Sequence, residues 1–449
     1  MKGDPLPSPP PVAGEGEVGE PWYFPFTLDP SPFTEFEMEH FDSLETRDPQ
    51  RREAQQFAAI RKQIANAQRH APYFARALAG VNAADIKDRA ALAKLPVTRK
   101  SDLIDLQKAQ PPFAGMTALP VSELGRVFMS PGPMFDPEGK RADYWRLARA
   151  MFAAGFRRGE LVHNTFSYHF TPAGFMADMG AHALGCTVFP GGTGQTEMQV
   201  AAIASLRPQC YIGTPSFLRI ILEKGDELNA DLSSLRKALV SAEALPASLR
   251  TWLNGRGVST QQCYAIADLG LVAYESPAQE GMIVDEGVVI EIVRPGTGEP
   301  VAPGEVGEVV VTTLTPEYPL PRFATGDLSA ALAGASPCGR TNMRIKGWMG
   351  RADQTAKVKG MFVKPSQMAE VAKRHSEIRK YRLIIDHDDR KTDRMTFNCE
   401  IAGAGNDALA QKIAATVREV CNLRGDVAFK PAGSLPNDGK VIDDVRKYD

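Results

Sequence analysis

The chain has 449 residues, of which 43% are hydrophobic and 24% charged, the balance of a soluble globular protein rather than a disordered or membrane-spanning one. Lys+Arg 52 against Asp+Glu 54, with a formal net charge of -2 and no long block of one sign, excludes nucleic acid and anionic membrane as main partners. A small-molecule ligand is the expectation, and two to four domains fit at roughly 100 to 200 residues each.

Six cysteines (Cys186, Cys210, Cys263, Cys338, Cys399, Cys421) lie far apart without a C-x-x-C pair, which fits a reducing, cytoplasmic setting. The first stretch, Met1 to Glu20, is rich in Pro, Gly and Glu and lacks the apolar core of a signal peptide. Residues 1–21 are expected to form a disordered tail.

Asp48-Pro49 then reads as a helix N-cap followed by Pro at the first helical position, with Phe57, Ile60, Ile64 and Ala67 at helical spacing. From Tyr144 to Tyr264, helix-like stretches (Tyr144 to Phe156, Thr196 to Leu206, Pro215 to Leu228, Pro246 to Asn254) alternate with short apolar runs (Cys186 to Phe189, Cys210 to Gly213, Ala238 to Ser241). Such alternation predicts an α/β fold with a parallel, doubly wound sheet. Between Gly281 and Thr313 the pattern turns β-rich and antiparallel, with Val288 to Val293 and Glu308 to Thr313 joined by a Gly/Pro-rich connection. Beyond Gly350 a small α+β domain is expected, giving an N-terminal domain over 22–349 and a C-terminal one over 350–449.

Three phrases carry the chemistry. Arg322-Phe323-Ala324-Thr325-Gly326-Asp327-Leu328 is followed by Gly350-Arg351-Ala352-Asp353, by Gly360, and near the end by Asn437-Asp438-Gly439-Lys440. In this order and separation they resemble the ribose-binding, hinge and catalytic-lysine motifs of the adenylate-forming enzymes. Within that superfamily, Phe41-Asp42-Ser43-Leu44-Glu45-Thr46-Arg47 and Leu95-Pro96-Val97-Thr98-Arg99-Lys100-Ser101-Asp102-Leu103 are similar to phrases of phenylacetate-CoA ligases. Together the likenesses run from about Phe41 to Lys440.

The resemblance implies a large AMP-binding domain under a mobile C-terminal lid, and the cofactors ATP, Mg²⁺ and coenzyme A. A carboxylate resists thiol attack until it has a good leaving group, so an acyl-adenylate is made first. By resemblance Lys440 stabilises the charge that builds up in that step, and Asp327 accepts hydrogen bonds from the ribose hydroxyls. Arg351 assists on the ribose or phosphate side. Asp353 is then the hinge, and Gly360 lets the CoA arm pass close to the backbone. Ser241, Ala242 and Glu243, with Tyr264, Ala265 and Asp268, occupy the adenine-side loops beyond strand C-termini. Tyr264 would lie against the adenine, and Asp268 stands where the family usually has Glu as a Mg²⁺ ligand. Phe166, Tyr168, His169 and Phe170 fall where the family has its acyl-pocket loop, and an aromatic lining suits an aryl or arylacetic acid.

Two departures stand out. The phosphate loop, normally rich in Ser, Thr and Gly with a Lys, is here Ser130-Pro131-Gly132-Pro133-Met134-Phe135-Asp136-Pro137-Glu138-Gly139, and its early prolines remove backbone donors. Ser130 and Gly132 are what remains of it. The Cys/His cluster of many relatives is reduced to Cys338, with Ser276 and Ser336 nearby, so no structural zinc is expected. Each residue also has a plainer reading: Lys440 as a surface lysine after a turn, Glu243 as a helix N-terminal carboxylate, Tyr264 and the aromatic stretch as packing. Gly191-Gly192-Thr193-Gly194 reads as a turn.

The expected function is an acid-CoA ligase, with a homodimer as the default assembly. The alternatives are an adenylating enzyme with a carrier-protein or amine acceptor, and a catalytically degenerate nucleotide-binding paralogue.

Overall fold

The computed structural model describes residues 40–130, 134–294, 298–352, 354, 356–359, 361–387, 392–401, 403, 405–435 and 441–446. The expected tail, Gly132, Asp353, Gly360 and Lys440 lie outside the described residues.

The first helix is Pro49–His70, and Asp48 caps it by accepting from the Arg51 backbone N–H at 2.8 Å. Its buried face carries Phe57, Ile60, Ile64 and Ala67, the positions that the periodicity marked. The alternation in the middle of the chain folds into five parallel strands. In spatial order they are Thr187–Pro190, Leu161–Asn164, Cys210–Gly213, Lys237–Val240 and Ser259–Ile266. Intervening helices, among them Ala173–Leu184, Thr196–Leu206 and Pro215–Glu227, bury their apolar sides against them.

The helix expected from Tyr144 is shorter, Leu147–Ala153. Arg146 takes a left-handed backbone (φ 65°), so the helix cannot start before it. Its guanidinium binds Asp285 at 2.7 Å and the carbonyls of Leu269 and Leu271 at 2.6 and 3.0 Å.

Beyond Ser259–Ile266 the sheet continues antiparallel through Gly270–Glu275, Met282–Val284, Arg344–Ile345, Phe323–Leu332, Val306–Thr313 and Val288–Val293. The β-rich stretch is thus hydrogen-bonded edge to edge with the parallel part. Thr98–Arg99 pairs in parallel with Phe323 and Ala324, which brings Lys100 beside the Thr-Gly-Asp strand.

The last hundred residues have their own layers. A hairpin, Ala356–Val358 with Met361–Val363, precedes a four-stranded sheet ordered Asp426–Lys430, Asp393–Ile401, Ile378–His387, Ile442–Asp444. Helices Pro365–Lys373 and Asp407–Cys421 accompany it, and Leu383, Ile385, Phe397, Ile413 and Val417 form its core.

The phrase from Phe41 to Arg47 buckles the N-terminal side to the central sheet. Arg149 binds both oxygens of Asp42 at 3.0 and 2.7 Å, while Glu45 accepts from Tyr274 Oη at 2.6 Å and pairs with Arg340 at 3.1 Å.

Asp143 adds a titration. Burial, helped by the Asp285 charge, pushes its carboxyl up to about 7 against the opposing Ala148 N–H, Arg146 charge and Leu147 N–H. The unfolded chain loses this proton near the ordinary carboxylate range while the folded chain keeps it. Stability is therefore lost as pH rises from about 4 to 7, by up to about 1.4 kcal/mol per unit, and then levels off. Asp143→Asn keeps a neutral side chain that tolerates the local φ of 43°. Its urea midpoint should match the parent at about pH 3 and exceed it at about pH 8; equal midpoints at both would refute the assignment.

Candidate nucleotide-binding and catalytic site

The site is built around Asp327. Thr325 sits just before a bend in the strand and turns its hydroxyl inward, donating to the Val309 carbonyl at 3.0 Å and accepting the Asp327 N–H at 3.1 Å. Gly326 is left-handed (φ 75°), and a Cβ there would meet Arg351 Nη2 at 2.5 Å. This is the physical reason for Thr-Gly-Asp. Residues 350–352 run alongside, with Leu328 N–H bound to the Gly350 carbonyl and Ala352 N–H to the Gly326 carbonyl, both at 2.8 Å.

Three side chains converge on the Asp327 carboxylate. Tyr264 Oη donates to Oδ2 at 2.7 Å, and Arg351 Nη1 and Trp348 Nε1 donate to Oδ1 at 2.9 and 3.1 Å. Arg351 also donates to the Thr325 carbonyl at 3.1 Å. Burial and then the Asp327 charge push the Tyr264 phenol well above its ordinary range, so it stays a donor. Asp327, Arg351 and Tyr264 are thus brought together.

A second cluster lies nearby. Asp268 is buried; its Oδ2 pairs with Lys100 Nζ at 2.5 Å. The hydroxyl of Ser130 donates to Asp136, which is fully buried. Burial, then the Asp268 carboxylate, pushes the Asp136 acid well above its usual range. Burial works against the Lys100 charge, but Asp268 and Asp136 outweigh it and hold its pKa above the ordinary value. The Oδ1 atoms of Asp268 and Asp136 are buried without a hydrogen-bond partner among the described residues. Orphaned carboxylate oxygens of this kind fit a hard cation such as Mg²⁺.

Other expected residues are placed as follows. Ser241 donates to the Cys263 carbonyl at 2.8 Å, Ala242 is left-handed (φ 70°), and Ala265 is half-buried beside Tyr264. Glu243 accepts the Ser216 N–H at 2.8 Å at the start of helix Pro215–Glu227, the helix-terminus role. The aromatic stretch divides: Phe166 is buried, Tyr168 donates to Asp178 at 2.6 Å, and His169 and Phe170 are exposed. Gly191, Gly192 and Gly194 are held through their carbonyls by Gln199 Nε2 at 3.0, 3.1 and 3.2 Å, which makes that run a braced turn.

Around Cys338 the structure gathers Ser336, whose hydroxyl lies 3.0 Å from the sulfur, with Ser276 and Arg340. One thiol among hydroxyls and a guanidinium does not fit tetrahedral zinc.

Lys100, Asp136 and Trp348 were not singled out from sequence. Lys100 lies inside a recognisable phrase and Trp348 two residues before Gly350, but neither position announces its partner.

The AMP-binding enzyme family matches residues 145–315. The phenylacetate-coenzyme A ligase of Thermus thermophilus is 30% identical over 86% of this chain and 91% of its own length. The chain belongs to the phenylacetate-coenzyme A ligase family. The ligase of Escherichia coli is 31% identical over 79% of this chain and 82% of its own. Among solved structures, a 2-hydroxyisobutyryl-CoA ligase in complex with 2-HIB-AMP and CoA superposes with a TM-score of 0.77, at 23% identity, over 95% of this chain and 97% of that one. The fold is therefore that of the adenylate-forming ligases, and the Asp327 cluster belongs to a member of this family.

Proposed function

We propose that the protein is an AMP-forming acid-CoA ligase that activates an aryl or arylacetic acid with ATP and transfers the acyl group to the thiol of coenzyme A. The observation that carries this reading is the convergence of Tyr264, Arg351 and Trp348 on Asp327. An ionised carboxylate held by donors, at the left-handed Gly326 bend within strand Phe323–Leu332, has the acceptor capacity to receive ribose hydroxyls.

In this reading Asp327 fixes the ribose, Arg351 orients it, and Tyr264 lies along the adenine. Ser241, Ala242, Glu243 and Ala265 border the base. Mg²⁺ would be held by Asp268 with Asp136, and when bound it would neutralise phosphate charge. Lys100 adds a positive charge close to the phosphates, which compensates in part for the donors that Ser130 and Gly132 alone cannot supply. Lys440 stabilises the charge that grows as the acid's carboxylate attacks the α-phosphate. Residues 350–449 act as the lid, turning about Asp353, and Gly360 then borders the CoA channel. Phe166, Tyr168, His169 and Phe170 face the acyl side. We further assign the protein to the cytoplasm and to a homodimer.

The test is a product analysis with ATP, Mg²⁺, CoA and a panel of aryl and arylacetic acids. AMP and acyl-CoA are expected in equal amounts with at least one acid. ADP, or acyl transfer to an added amine and not to CoA, would refute the reading.

A further inference from the structure

We infer that Trp348 is a specificity-determining residue that competes with the nucleotide's ribose for Asp327; this rests on the ribose reading of that carboxylate. An ionised carboxylate offers about four acceptor positions. Among the described residues three are taken: Tyr264 uses one on Oδ2, and Arg351 and Trp348 use both on Oδ1. A vicinal diol that donates twice needs two. One resident donor must leave.

Trp348 is the donor that yields. Its bond is the longest of the three at 3.1 Å, and its side chain is 41% exposed. Arg351 is held as well by the Thr325 carbonyl and by the bridge between its backbone and that of Asp327. Tyr264 is half-buried and binds at 2.7 Å. The backbone around the indole is fixed, with Ser329 Oγ donating to the Gly347 carbonyl at 2.7 Å and Met349 N–H to the Leu328 carbonyl at 2.9 Å. Rotation of the Trp348 side chain alone exchanges the indole for a ribose hydroxyl. The indole therefore penalises ligands with a full diol, which must displace it, and narrows the site's preference for them over ligands with one hydroxyl or none.

The test compares the parent with Trp348→Phe, which keeps a ring but has no N–H. Calorimetry with AMP and with 2′,3′-dideoxy-AMP separates the diol from the rest of the nucleotide. The variant should bind AMP about fivefold tighter, the equivalent of one competing hydrogen bond. Binding of the dideoxy analogue should stay within about twofold, the size below which no hydrogen bond is gained or lost. Weaker AMP binding by the variant, or an equal shift for both nucleotides, would overturn the inference by showing that the indole stacks on the ligand instead. Failure of both proteins to bind AMP would overturn it together with the ribose reading.

Discussion

Lys440→Ala is expected to slow acyl-adenylate formation by about 10²- to 10³-fold, the usual loss when one electrostatic stabiliser of a transition state is removed. The attack of CoA on a supplied acyl-adenylate should fall by less than about tenfold, because in the proposed reading the turn of the lid has withdrawn Lys440 before AMP leaves. Lys440 belongs to a segment whose two flanks are tied down. Before it, Glu400 accepts the N–H groups of Gly433 and Leu435 at 2.9 and 2.8 Å; after it, Gln354 accepts that of Val441 at 2.7 Å. The described residues before and after that position are thus held by Glu400 of strand Asp393–Ile401 and by Gln354. Single-turnover measurement of the two half-reactions checks the assignment, and equal loss in both would show that Lys440 acts elsewhere.

Arg322→Ala should cost about 3–5 kcal/mol of stability, the range for removing one partner of a buried ion pair. Arg322 is buried and left-handed (φ 46°). It binds both oxygens of buried Glu291 at 2.9 and 3.1 Å and the carbonyls of Ala93, Leu95 and Gly298 at 2.7, 2.6 and 2.6 Å. One side chain thereby fastens the segment that leads to Lys100 onto the strand that carries Asp327. Truncation strands Glu291 and three carbonyls. Arg322→Met combined with Glu291→Leu should recover part of the loss, since no charge is then left unpaired. Urea unfolding of the three proteins measures this; a loss under about 1 kcal/mol for Arg322→Ala would contradict the clamp.

These two residues show what could be read from the chain and what could not. Alternation of helix-like and apolar stretches is a local signal, and so the parallel sheet was legible between Tyr144 and Tyr264, although the strand Leu161–Asn164 was not among the runs it marked. Asp327, Arg351 and Lys440 could be marked as candidates because their motifs keep a fixed order; of these the structure pairs Arg351 with Asp327 at 2.9 Å, and Lys440 lies outside the described residues. Arg322 stood inside a recognised phrase, yet its work as a clamp was hidden, because its partners come from residues 93–95, 291 and 298. Asp136 was likewise invisible. Its neighbour Asp268 lies more than a hundred residues away, and only folding puts two carboxylates and Lys100 together. The aromatic stretch shows a limit of local reading: spacing alone did not reveal that Phe166 is buried while His169 and Phe170 are exposed.

The most direct test of the central claim is carboxylate-dependent exchange of pyrophosphate into ATP, measured without CoA. The account predicts exchange with at least one aryl or arylacetic acid, and its loss in Asp327→Ala, which removes the proposed ribose acceptor. Absence of exchange with every acid, or undiminished exchange in Asp327→Ala, would contradict it.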